Sequence, residues 1–260
     1  MFSKATKFIA LCALGAGAGT AFGMKTQCSA SSGPLITPVL ELYTSEGCSS
    51  CPPADTWASG LKGKNLLVQA FHVGYWDYIG WVDRFAAPAH TARQRELAGS
   101  NQLRNIYTPQ VLLNGRDWPQ WGGAPSRLAD AREPARAHIT LTRLADDQFE
   151  ATVTPAAGTP AWAAYWTVTE HGHNSRVKAG ENAGQFLKHD FVVRQYTQAG
   201  EYKNRNSGAS PGGEPVPIKL GFRSIAATPG HERQINLVVF APQSGKTLQA
   251  VSLSCPGETS

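Results

Sequence analysis

The chain has 260 residues, 42 % apolar and 17 % charged, a composition that excludes intrinsic disorder and allows a sizeable core. Its 24 basic and 19 acidic residues are scattered without a basic stripe, which argues against nucleic-acid binding. The length corresponds to one large or two modest domains.

The first 23 residues have the pattern of an export signal. Lys4 and Lys7 precede a short apolar run, and small residues follow at the cleavage spacing, ending at Gly23. Removal of residues 1–23 takes two lysines from the 24 basic residues and leaves 22 against 19 acidic ones. No other segment is long and apolar enough to cross a bilayer. We therefore expect a periplasmic or secreted protein without stable membrane insertion after signal cleavage.

A polar linker, residues 24–37, is predicted next, followed by alternating strands and helices. Prolines at positions 52 and 88 are tolerated in a first helical turn, and Asn114-Gly115 predicts a tight hairpin. The predicted elements are strand 39–43, helix 52–61, strand 65–73, aromatic loop 75–85, helix 88–102, strand 110–113, strand 116–118 and helix 125–137.

After residue 137 the pattern changes to short runs of alternating apolar and polar residues. Such regularly spaced strands are typical of an antiparallel sandwich. Residues 199–217, rich in Gly, Ser, Pro and Asn, predict a long loop. The predicted strands are 138–144, 148–153, 163–169, 191–196, 218–225 and 235–240.

The most chemically informative motif is the sequence Gly-Cys-Ser-Ser-Cys-Pro-Pro at residues 47–53. It joins the first predicted strand to the first helix, so Cys48 lies where unpaired N–H groups and the helix dipole stabilise a thiolate. A thiolate is the nucleophile of disulfide exchange, and Cys51 would be the resolving thiol. Two alternatives stay open, namely an inert structural disulfide and half of a structural zinc site. No second close Cys/His pair is placed to complete a zinc site, and a three-residue spacing closes too small a loop to stabilise much.

Cys28 and Cys255 are the other cysteines of the exported chain, near its two ends. An oxidising compartment allows a disulfide that ties the ends together. The alternative of two unpaired thiols in terminal tails is equally compatible with the sequence.

The order of motifs resembles a thioredoxin-like domain: a strand, the Cys-x-x-Cys pair, a helix, and then Thr108-Pro109 before another strand. This resemblance implies that the peptide bond to Pro109 is cis and faces the cysteine pair. It also implies that Thr108 contacts the reactive sulfur. The expected fold class is therefore α+β, with a thioredoxin-like α/β domain over residues 38–136 and an all-β antiparallel sandwich-like domain over residues 137–255.

A narrower resemblance covers residues 38–253. Residues 41–55, 71–81, 107–110 and 180–184 are similar to a family of exported bacterial proteins of unknown function, DUF1223. This resemblance implies a thioredoxin-like fold and no demonstrated reaction.

Aromatic residues crowd two loops of the first half. Tyr75, Trp76 and Trp81 are candidate substrate-binding residues, because an aromatic groove suits an apolar or peptide segment. The alternative is that they and Tyr78, Trp118 and Trp121 seal the loops against the body of the domain.

Four further polar residues have a functional and a structural interpretation each. Glu41 could move the proton of the resolving thiol or be structurally paired, and His72 could tune the cysteine pair or be a satisfied core residue. His171 and His173 flank a turn, where a solvated pair is expected over a metal site.

The sequence therefore predicts an exported thiol–disulfide oxidoreductase acting on protein or peptide thiols and disulfides, with Cys48, Cys51, Thr108 and Pro109 as its site and no cofactor. One alternative is a non-catalytic binding module whose Cys-x-x-Cys disulfide is structural. Another is a protein that handles a soft metal such as copper.

Overall fold

The computed structural model describes Met1 and residues 28–123, 133–203 and 216–255. Apart from Met1, the predicted signal peptide lies outside the described residues, as do residues 125–132 of the third predicted helix and 204–215 of the predicted loop. The described helices are α1 (Pro52–Ser59) and α2 (Pro88–Ser100). The described strands are β1 (Ser29–Ser31), β2 (Val39–Thr44), β3 (Leu67–His72), β4 (Gln110–Leu113), β5 (Arg116–Asp117), β6 (Ala137–Ala145), β7 (Gln148–Pro155), β8 (Ala161–Glu170), β9 (His173–Arg176), β10 (Phe186–His189), β11 (Val192–Lys203), β12 (Ile218–Arg223), β13 (Arg233–Phe240) and β14 (Thr247–Leu253).

The prediction of a thioredoxin-like α/β domain followed by a separate sandwich is wrong. The protein is mostly β, and one eight-stranded mixed sheet, ordered β14-β13-β8-β11-β3-β2-β4-β5, contains strands from both halves of the chain. The junction is a parallel pairing of β3 with β11, where Val192 is in register with Ala70. This pairing satisfies the edge of β3, which would otherwise present unpaired N–H and C=O groups.

The helices cover opposite faces of the sheet where β2 and β3 lie. Residues alternate between the two faces of a strand, so Leu40 and Leu42 of β2 pack with Ala54 and Ala58 of α1. Tyr43, on the opposite face, packs in a second cluster that includes residues of β3 and α2. All six residues of β2 are buried, so this strand fixes the base from which the cysteine turn begins.

A second, four-stranded antiparallel sheet has the order β1-β6-β7-β12. It packs on the eight-stranded sheet through the largest apolar core, in which Ile139 and Phe149 meet Trp166 and Leu237. Trp166 also stacks on Phe222, with ring centroids 4.9 Å apart. Two antiparallel layers therefore face each other, but one of them continues into the strands that carry the helices.

Cys28 and Cys255 form a disulfide with their Cα atoms 5.8 Å apart. The structure therefore has the disulfide that ties the ends together, and not two unpaired thiols. Cys28 precedes β1 and Cys255 follows β14, so the bond joins the two sheets as well as the two ends of the chain. Among the described residues, no helix is long and apolar enough to cross a membrane.

Candidate functional site

The cysteine turn lies between β2 and α1. Cys48 and Cys51 form a disulfide with their Cα atoms 5.4 Å apart, and Cys51 is the N-terminal cap of α1. The Cys51 amide donates a hydrogen bond to the Cys48 carbonyl oxygen at 3.2 Å, which closes the turn. Pro52 occupies the first helical turn, where a missing N–H leaves no bond unmade. The predicted disulfide and its position at a strand–helix junction are both confirmed.

The disulfide itself is covered. Cys48 is 1 % exposed and Cys51 is fully buried, whereas Ser49 and Ser50 between them are exposed. The Ser50 hydroxyl lies 3.4 Å from the Cys48 sulfur. The turn therefore presents serines to solvent and keeps its sulfurs inside.

Trp76 connects the cysteine turn to the Thr108-Pro109 segment. The Thr108–Pro109 peptide bond is cis, as the resemblance implied. The indole N–H of Trp76 donates to the Thr108 hydroxyl at 2.8 Å. On its other side Trp76 abuts Gly47, where an added Cβ would lie 2.9 Å from the Trp76 Cβ. A glycine before Cys48 therefore allows the Cβ and main chain of Trp76 to lie against the turn.

The other predicted aromatic residues divide into two groups. Trp81 donates from its indole N–H to the buried Glu46 carboxylate at 2.7 Å, and burial raises the pKa of the half-buried Tyr75. Tyr78 and Val82 of the same loop are 80 % and 71 % exposed, so they form its outward apolar surface. Trp118 and Trp121 instead pack on Trp57 of α1, with ring centroids 5.9 and 5.0 Å away.

The tip of the β9–β10 hairpin, residues 180–183, is bonded to the cysteine turn. The side-chain amide of Asn182 donates to the carbonyl oxygens of Glu46 and Cys48 at 2.9 and 3.0 Å. Glu181 accepts a hydrogen bond from the Ser49 amide at 2.9 Å. The second half of the chain thus supplies part of the site. The only sequence signal for it was the similarity of residues 180–184 to the family pattern.

A buried ion pair supports the segment just before the cysteines. His72, at the end of β3, and Asp83 are both inaccessible and lie 2.7 Å apart. Asp83 also accepts the amides of Glu46 and Phe85, each at 2.9 Å. Burial alone would raise the pKa of Asp83, but His72 and these amides outweigh it and lower the pKa to about 2. The pKa of His72 is raised, because its acidic neighbours outweigh its desolvation.

Three more titratable groups lie near this pair. Glu46 and His189 approach to 3.2 Å, and the His189 ring is 4.9 Å from that of His72. Asp55 of α1 accepts the Thr44 hydroxyl at 2.9 Å, and burial raises its pKa. The Nδ1 atom of His189 and the Nε2 atom of His72 have no hydrogen-bond partner within the described part of the chain. No spacing in the sequence indicated that Asp55, Asp83 and His189 would converge.

Glu41 has the structural role that was one of its two predicted alternatives. It is buried on the α2 side of the sheet, where both carboxylate oxygens bind Arg93 at 2.6 and 2.8 Å. The hydroxyls of Tyr43 and Tyr165 donate to the same carboxylate. Glu41 is therefore satisfied within this network.

The expectation of a solvated histidine pair is wrong. His171 and His173 are both buried, and His173 bonds to Glu170 at 2.8 Å. Among the described residues, no group of three or more His, Cys, Asp or Glu side chains is arranged to hold a metal ion.

The fold and the site together define a class: mostly β proteins with a disulfide-bonded Cys-x-x-Cys turn between a strand and a helix. The chain belongs to the family described as a protein of unknown function, DUF1223, which matches residues 39–221. No curated protein matches it.

Two solved structures are similar in fold. One is protein AGR_C_4864 from Agrobacterium tumefaciens, with 23 % identity, a TM-score of 0.62, and coverage of 84 % of this chain and 94 % of that one. The other is HBP35 of Porphyromonas gingivalis, with 14 % identity, a TM-score of 0.59, and coverage of 87 % and 77 %. At these identities the similarity concerns the fold alone.

Proposed function

We propose that the protein is an exported thiol–disulfide oxidoreductase that acts on protein or peptide disulfides through Cys48 and Cys51. The observation that carries the proposal is the disulfide between these residues at the N-terminus of α1. The positive end of the α1 dipole would stabilise a thiolate at such a position. It would act without free N–H groups, because Pro52 and Pro53 have none and the Ala54 amide donates to the Cys51 carbonyl oxygen. Export directed by residues 1–23 would deliver the pair to a compartment in which disulfides persist.

The reaction needs only the two thiols and a substrate disulfide. The Cys48 thiolate attacks one substrate sulfur, which forms a mixed disulfide and expels the other sulfur as a thiolate that takes a proton from water. The Cys51 thiolate then attacks the Cys48 sulfur, re-forms the Cys48–Cys51 disulfide and releases the second substrate thiol. Two electrons pass to the substrate. A small thiol or a protein dithiol then reduces the Cys48–Cys51 disulfide and restores the dithiol. The opposite direction uses the same steps in reverse.

The substrate would approach over the side of the turn against which Trp76 lies, and Thr108 and Pro109 would complete that surface. Thr108 and Pro109 are partly exposed, and the Trp76 indole is fixed by its bond to Thr108. Tyr75 lies beside Trp76, with ring centroids 6.2 Å apart, and Trp81 bonds to Glu46 just before the turn. Tyr78 extends it outward and stacks on Trp76, with ring centroids 6.4 Å apart.

A second candidate function is a binding module in which the Cys48–Cys51 disulfide is only structural. The burial of both cysteines favours it, because a covered disulfide cannot be attacked until the turn opens. The two candidates therefore differ in whether the native turn opens often enough for exchange.

The deciding experiment uses a Cys51→Ser variant, in which Cys48 can attack a substrate but no resolving thiol releases it. Incubation with a disulfide-containing peptide should accumulate a mixed disulfide detectable by mass spectrometry. The matched control is Cys48→Ser, which keeps Cys51 but lacks the proposed nucleophile and should form no mixed disulfide. A folded Cys51→Ser protein that forms no mixed disulfide, together with a wild-type pair that does not cycle in glutathione buffers, would leave the binding module as the function.

A further inference from the structure

A carboxylate from the second half of the chain is bonded to the cysteine turn. Glu181 accepts the N–H of Ser49, the residue directly after Cys48, at 2.9 Å. Hydrogen bonds from Ser49 lower the pKa of Glu181, so this side chain is anionic at neutral pH. Asn182 holds the same hairpin tip in place through the carbonyl oxygens of Glu46 and Cys48. A negative charge is thereby fixed one residue from the proposed nucleophile.

We propose that Glu181 is a positioning residue that biases the Cys48–Cys51 pair toward its disulfide form, an inference that rests on the proposed function. In the disulfide form the sulfurs carry no charge, and the Ser49 N–H is available to the carboxylate. Reduction creates a thiolate at Cys48, which is repelled by Glu181 and competes with it for the N–H groups of the turn.

The coupling between the thiolate and Glu181 is reciprocal. Any free energy by which the thiolate weakens the Glu181 contact is also the free energy by which Glu181 disfavours the thiolate. Two consequences follow for the protein. Reduction loosens the hairpin tip, and the pair has a lower reduction potential than it would have without Glu181. A lower potential makes the pair a better electron donor, so Glu181 favours as substrates disulfides that are more oxidising than the pair.

The test is an equilibrium titration of the full exported chain with reduced and oxidised glutathione. Two glutathione thiols give two electrons and two protons to the Cys48–Cys51 disulfide and become one glutathione disulfide, and thiol trapping reports the reduced fraction. The variants are Glu181→Gln, which keeps a hydrogen-bond acceptor and loses the charge, and the control Glu96→Gln on an exposed position of α2. We expect Glu181→Gln to favour the dithiol about threefold, as for one solvent-screened charge, or about 14 mV. Glu96→Gln should match wild type.

Salt distinguishes an electrostatic role from a structural one. In about 1 M sodium chloride the Debye length falls to roughly 3 Å, so the difference between Glu181→Gln and wild type should shrink toward zero. Equal equilibrium constants at low salt would overturn the assignment of Glu181 while leaving the proposed function intact. A difference unchanged in high salt would overturn it as well. A wild-type pair that glutathione neither reduces nor reoxidises would overturn the proposed function and this inference together.

Discussion

The hydrogen bonds of Asn182 lead to a quantitative prediction about how easily the cysteine turn opens. Its side-chain amide donates to two carbonyl oxygens, those of Glu46 and Cys48, and the residue is only 5 % exposed. A net hydrogen bond contributes about 1 kcal/mol, so Asn182→Ala should lower the opening free energy by about 2 kcal/mol. If attack occurs only on the open turn, reduction should accelerate about thirtyfold.

The assay is the pseudo-first-order rate of reduction of Cys48–Cys51 by dithiothreitol, measured by quenching and thiol trapping. The matched control is Asn174→Ala, on the same hairpin but exposed, whose side chain makes no hydrogen bond to the turn within the described residues. It should react at the wild-type rate. The reasoning that the hairpin tip controls access would be refuted by an Asn182→Ala variant that urea titration shows to be folded and that is reduced within twofold of the wild-type rate.

Three further predictions concern stability in urea. Asp83→Asn should reduce the loss of unfolding free energy in acid. The lowering of the Asp83 pKa from 3.8 to about 2 corresponds to about 2 kcal/mol of stability, which is present above pH 4 and lost as pH falls through 2. A variant whose stability falls in acid as much as that of wild type would contradict this. The double variant Cys28→Ser/Cys255→Ser should lose at most about 5 kcal/mol under oxidising conditions, the chain-entropy ceiling for a separation of 227 residues, and no loss would contradict it. Arg93→Met should lose about 3–5 kcal/mol because Glu41 stays buried without its cation, and adding Glu41→Gln should restore part of this.

The elements with strong local signals could be predicted from the sequence. Gln110–Leu113 was predicted at its observed bounds, and helix α1 begins at Pro52, where a proline marks a first turn. The Cys48–Cys51 bond follows from spacing and context alone. These features depend on residues that are neighbours in the chain.

The merged sheet could not be predicted in the same way. It depends on one parallel contact, Val192 with Ala70, between residues more than a hundred positions apart, and neither hydrophobic period nor turn chemistry encodes a partner. Strand β14 was missed for another reason. Its Gln249 is polar yet buried, because its side-chain amide donates to the carbonyl oxygens of Gly33 and Leu35. A polar residue at a buried position interrupts the apolar pattern from which a strand is predicted.

The site was missed in part by the same limitation. Asn182 and Glu181 reach the cysteine turn from 134 and 132 residues away along the chain. His72 was recognised as ambiguous, but its partner Asp83 lies in the aromatic loop 75–85, where no spacing singles out that carboxylate. Residues that act on a site through tertiary contacts leave no mark on local sequence spacing.

The energetic scale of the two disulfides bears on the choice between the candidate functions. The chain-entropy treatment assigns about 2 kcal/mol to a loop of four residues, against about 5 kcal/mol for the bond between Cys28 and Cys255. The two hydrogen bonds of Asn182 hold the same turn by about as much as its disulfide does. As a structural clip, Cys48–Cys51 would therefore contribute no more than two hydrogen bonds do, and less than half of what the Cys28–Cys255 bond contributes. Thiol exchange is something that only the cysteines can supply, and this asymmetry favours the oxidoreductase over the structural clip.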